Sequence, residues 1–195
     1  KDRDNLLGSL QGLAGTELGV ASYAWYIASE LDKPKKERNP RITESAVEDA
    51  KNGMTYQYAN LYEPLDKKML VMALENVEEL PADQRIEGLD MILQGQDKSI
   101  EDYVNWMYAD SKLNDIEYAK SLFGKSVAEL EALNDPFINM WASVAPLVDA
   151  YGEVYDKFAA NVTDLRKVYI DALYEWKGSN MYPDANHHAF YIGSR

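Results

Sequence analysis

The residues best suited to acid–base or metal chemistry near neutral pH are histidines. The chain has two, His187 and His188, side by side in "MYPDANHHAFYIGSR". Neighbours in an extended segment point to opposite faces, so they make a poor set for one metal or one proton. A di-iron helical bundle draws Glu-x-x-His pairs from its helices. Asp184 and Ala185 stand three positions before these histidines, which leaves neither with that partner. No serine sits in a Gly-x-Ser-x-Gly elbow that would present its hydroxyl to a histidine. Neither glycine-rich phosphate loop is present. Acid pairs such as Glu78–Glu79, or Asp164 with Asp171, are ordinary among 33 acidic residues and do not define a two-carboxylate hydrolase. With no cysteine, disulfides, thiolate metal sites and a cysteine nucleophile are excluded. Read residue by residue, the chain offers no catalytic set, no metal set and no cofactor motif, and its substrate-binding residues stay unassigned.

Composition narrows the partners. At 195 residues the chain can bury a core of its own, and 46% hydrophobic residues argue against disorder. A net charge of -13 disfavours nucleic acid and anionic membrane surfaces, which both need clustered Lys and Arg. No apolar run approaches the ~20 residues that span a bilayer. The four tryptophans and fourteen tyrosines permit a ligand pocket or a protein interface, with an aromatic core as the plainer use. The chain opens on Lys1 with a helical pattern almost at once, as expected of a piece excised from something longer.

The elements that must position any site are helical. Over residues 4–32, Leu6, Leu10, Leu13, Leu18, Ala21, Ala24, Ile27 and Leu31 recur at steps of three to five. Gly8, Gly12, Gly15 and Gly19 weaken that helix by up to ~1 kcal/mol each, and close approach of a second helix is the expected reason for them. "DKPKKERNPR" (32–41) is a loop. Thr43 is placed to N-cap a helix to about Tyr62, with Tyr56, Tyr58 and Tyr62 expected at the core edge. Pro64 starts the next helix, and "PADQR" opens a short one. Ser99 caps "IEDYVNWMYADSKL", and "DIEYAKSLF" follows. Ser126-Val-Ala-Glu129 is a capping box. Asp135-Pro136 then begins a helix over about 136–177, with a kink expected at Pro146 and a stop at Gly178. The pattern predicts an all-α fold: a single multi-helix domain of six to eight antiparallel helices with a short non-helical C-terminal tail.

Residues 28–186 carry a more specific likeness. "ASELDKPKKERNP", "YEPLDKKMLVMAL", "LPADQRIEGLD", "DSKLND", "LEALNDPFINMWASVAPLV" and "RKVYIDALYEWKGSNMYPDAN" occur in that order. Together they resemble the bacterial chymotrypsin-like serine dipeptidyl aminopeptidases, serine peptidase family forty-six, which includes dipeptidyl peptidases seven and eleven. The resemblance implies a parent enzyme with a Ser-His-Asp triad on paired β-barrels and an inserted helical domain that caps the active site. Access then narrows so that only a peptide's free amino end enters, and dipeptides leave. On this likeness residues 1–180 are part of the helical cap, and 181–195 a crossover towards a missing β-barrel. The family's triad and the asparagine that helps hold the substrate amino group align outside the chain, so none is carried over. The implied partners are a peptide substrate, through the parent enzyme, and the β-barrel catalytic domain; a homodimer is left open. The implied location is the periplasm or cell surface. After Asn186 the family continues into a threonine- and arginine-bearing strand, whereas this chain reads "HHAFYIGSR". The competing expectation is a non-catalytic helical module that binds a peptide or protein.

Overall fold

The structure, a computed structural model, describes residues 15–95 and 97–177. Among these residues there are eight α-helices, one 3-10 turn at Ala82–Gln84, and no strand. The helices are α1 (Thr16–Asp32), α2 (Glu44–Ala59), α3 (Glu63–Glu78), α4 (Glu87–Gln94), α5 (Ile100–Asp110), α6 (Ile116–Leu122), α7 (Val127–Glu131) and α8 (Pro136–Lys177). The all-α class and the number of helices agree with the sequence pattern. The chain divides into two compact units, residues 1–149 and 150–195, and α8 runs from the first into the second. Residues 4–14 of the first expected helix, the stop at Gly178, the 181–195 crossover and both histidines lie outside the described residues.

Helix starts form where side chains can satisfy the first free N–H groups. Thr43 accepts from Ala46 N, Ser99 from Asp102 N, and Asp115 from Glu117 N. The Ser126–Glu129 capping box closes reciprocally. Asp135 Oδ1 accepts from Phe137 N at 3.0 Å, so Pro136, which lacks an N–H, occupies the first turn without loss. The helix begun at Thr43 ends at Ala59, three residues before Tyr62. α8 stays continuous through Pro146.

Packing in the first unit follows helical periodicity. On α3, Leu70, Leu74 and Val77 are buried at steps of four and three. They meet the face of α5 that buries Val104 and Met107. The start of α8 adds Phe137, Ile138, Met140, Trp141, Val144 and Ala145. Each large side chain taken from water contributes roughly 1.5–3 kcal/mol. A buried polar knot ties the ends together. Ser111 Oγ donates to Asp135 Oδ2 at 2.8 Å, Lys112 N donates to the same oxygen, and Leu113 N donates to Ser111 Oγ. Tyr58 Oη donates to the Leu113 carbonyl.

Two expectations change. Of the three tyrosines, Tyr58 lies at the core edge, while Tyr56 and Tyr62 are 77% and 66% exposed. Of the glycines of the first helix that can be described, Gly15 stands in a close approach, where a Cβ would lie 3.0 Å from Tyr108 Oη and 3.3 Å from Asp66 Oδ2, and Gly19 does not. Gly15 has φ +95°, a backbone region that favours glycine. A Cβ on Gly19 would meet nothing within 4 Å among the described residues. The tightest approach occurs at Gly88 on α4, where a Cβ would lie 2.2 Å from the Ser143 carbonyl oxygen. In the second unit no residue from Ala150 to Lys177 is buried. Val154, Phe158, Leu165, Val168 and Trp176 are each more than 60% exposed.

Candidate functional site

A concave feature of the first unit is a groove of about 730 Å³ between α1 and α2. Asp66 and Met69 of α3 line it, as do Trp141, Ala145, Val148 and Asp149 of α8. Gly15, just before α1, lines it together with Thr16, Gly19, Tyr23, Trp25 and Tyr26 of α1 among others, and Gly53, Met54 and Gln57 of α2. The spacing on α1 explains how one helix serves two faces. Glu17, Ala21, Ala24 and Ala28 fall on the buried stripe, whereas Gly15, Gly19, Ser22 and Tyr26 fall on the groove side.

Asp66 fixes one end of the groove. Its Oδ2 accepts from Thr16 N at 2.7 Å, so a carboxylate from α3 supplies the cap that α1 lacks from its own Gly15. Behind this cap lies Glu17, only 2% exposed. Burial pushes its carboxyl up to about 7. Its own backbone N–H opposes that shift, while Asp66 and Glu63 add to it. The Tyr108 hydroxyl lies beside it and lowers it slightly, in a geometry short of a regular hydrogen bond. Neither Glu17 Oε2 nor Tyr108 Oη has a regular partner among the described residues. Burial first, then Glu17 and Asp66, push the Tyr108 phenol well above its usual range. Lys67 is the nearby cation: it pairs with Glu63 Oε1 at 2.5 Å and stands 5.2 Å from the Tyr108 ring centroid.

The residues of the family-like stretches do structural work. Arg38 donates to the carbonyls of Leu31 and Lys33, and Asn39 N donates to Glu30 Oε2 at 2.6 Å. Burial would raise the Glu30 carboxyl, but Lys33 and the Asn39 N–H outweigh it and hold it below its usual range. Arg85 grips Asp90 through two hydrogen bonds of 2.8 and 2.6 Å and donates to the Glu78 carbonyl. In "NDPFI", Asn134 takes φ 51°, Asp135 caps α8, and Phe137 and Ile138 enter the core. These motifs fold loops and start helices.

Among the described residues, no group of three or more His, Cys, Asp or Glu side chains could hold a metal ion. Glu78, Glu79, Asp164 and Asp171 are all exposed, and none of them lines the groove. No helix of the described residues is long and apolar enough to cross a membrane. Sequence reading passed over Glu17, Asp66 and Tyr108. The available signal was an acid at position 17, four residues before Ala21 on the apolar stripe of α1.

Residues 1–189 match the family model for Peptidase S46. The chain belongs to the Peptidase S46 family. That span covers the likeness carried by the loop and cap motifs and extends it to the start of the chain. As a Peptidase S46 chain it is part of a protein-hydrolysing family, and in the described residues the family signature coincides with the helical scaffold.

Proposed function

We propose that this Peptidase S46 chain forms part of a helical cap over the active site of a serine dipeptidyl peptidase. The cap does not itself perform the bond cleavage. The family match over residues 1–189 carries this reading, taken with the structural roles of the motif residues Arg38, Asn39, Arg85 and Asp135. The described helices hold a packed scaffold with a groove, not a nucleophile set against a base.

The physical role is exclusion. An exopeptidase must reject internal peptide segments, and a rigid wall does so by leaving no path beyond the amino end. Closure also removes water, which strengthens the charge interactions that hold an ammonium group. On this reading the catalytic β-barrel domain of the same protein is the partner, and a peptide is the substrate. The periplasm or cell surface is the location.

The test uses the full-length gene product. Residues 15–177 are replaced by a short Gly/Ser linker, and a fluorophosphonate that labels active serines reports whether the catalytic domain still folds. The labelled, shortened enzyme should cleave N-acetylated peptides that the intact enzyme rejects. If it is labelled and still rejects acetylated peptides as the intact enzyme does, the cap reading is wrong.

A further inference from the structure

We propose that the groove between α1 and α2 is a binding site for an organic cation carrying an apolar or aromatic body, such as an arylalkylamine or the side chain of a lysine within a peptide. This inference is independent of the peptidase reading, because it rests only on the geometry of the groove.

The first observation is the floor. Gly19 on α1 and Gly53 on α2 both line the groove, and a Cβ on either would meet nothing within 4 Å among the described residues. Glycine inside a helix costs up to ~1 kcal/mol relative to alanine. Neither backbone angle nor close helix packing accounts for it at these two positions. What the two glycines provide is open volume, about 730 Å³ in all, within the usual range for small-molecule pockets. The second observation is the wall. Tyr23, Trp25 and Trp141 give the groove aromatic surface suited to an apolar body and to a cation over a ring. The third is charge. The Asp66 carboxylate lines the groove and is held in place by Thr16 N. No Lys or Arg lines the groove among the described residues. A cation with an apolar stem is complementary to all three features, whereas an anion would meet two acidic lining residues, Asp66 and Asp149, and the buried acid behind Asp66.

The test uses the 195-residue chain and follows backbone amide NMR shifts during titration with 2-phenylethylamine. Its neutral isostere, 2-phenylethanol, is the control. A ligand of this size should saturate with a Kd on the order of 1 mM. The alcohol should bind at least about tenfold more weakly, and Asp66→Asn should cost the amine about the same factor, since a charged hydrogen bond is lost. Asn keeps an acceptor for Thr16 N, so the fold should survive. Gly19→Leu and Gly53→Leu should fill the groove and abolish binding while melting at the same temperature as the parent chain or higher. Binding of acetyl-Phe-Lys-amide as well would assign a peptide side chain as the source of the cation, and binding of the free amine alone a small metabolite; either supports the site. Equal affinity for amine and alcohol would overturn it. So would undiminished amine binding in the folded Gly19→Leu and Gly53→Leu variants, or the absence of saturation by the amine.

Discussion

The two units use the same kinds of residue to different ends. In residues 15–149, Leu, Val, Phe and Trp at helical spacing lie in a shared core, and Phe137 and Leu70 are fully buried. In residues 150–177, Val154, Phe158, Leu165 and Val168 repeat the same kind of spacing and remain exposed. Burial is thus a property of the partners that a helix finds, not of its own pattern. Periodicity shows which face could be covered; only packing shows that it is.

The sharpest way to test that contrast is to truncate one phenylalanine from each unit. Phe137→Ala should cost about 4 kcal/mol in denaturant unfolding, because it leaves a cavity among fully buried neighbours. Phe158→Ala, at 63% exposure, should stay within about 0.5 kcal/mol. Similar losses at both sites would erase the distinction.

A second contrast sets the buried acid of α1 against the exposed acids of residues 150–177. Glu17 holds its proton more tightly in the folded chain, at about 7 against 4.5. Stability from this group is therefore fully present below pH 4.5, declines between about 4.5 and 7, and levels off above 7. The decline is up to roughly 3 kcal/mol. Glu17→Gln should flatten that part of the pH–stability curve and make the chain more stable at pH 8. Asp164→Asn, on an exposed stretch of α8, should change stability at pH 7 by no more than about 0.5 kcal/mol. A curve with the same slope in wild type and Glu17→Gln would show that Glu17 titrates normally.

Smaller effects are expected at the joints. Asp135→Ala removes a helix cap and the acceptor of Ser111 Oγ, and should cost about 2 kcal/mol by thermal or chemical unfolding. Gly53→Ala should raise stability by up to about 1 kcal/mol, since its Cβ enters open space. A loss there would mean that the groove is more tightly filled than its geometry indicates.

The helical frame was readable because its signals are local. Thr43, Ser99, Ser126 and Asp135 each cap the helix that their position announces. The long helix expected from about 136 starts at Pro136 and runs through Lys177, the last described residue. What the sequence could not show depends on contacts between distant residues. Asp66 caps α1 from 50 positions away. Gly88 is needed because Ser143 passes over it, and nothing near position 88 announces that neighbour. Gly19 had a plausible packing role by spacing alone, and only the folded arrangement shows that it faces open volume instead. The family likeness was legible in the loop motifs because loops with fixed turns and caps constrain residue identity more tightly than helix faces do.

The central claim is that this Peptidase S46 chain is scaffold and cap rather than catalytic centre. Fluorophosphonate labelling of the full-length gene product, followed by peptide mass mapping, tests it most directly. The account predicts one labelled serine, located outside residues 1–195, and no labelling of the 195-residue chain on its own. A labelled serine inside residues 1–195 would contradict it.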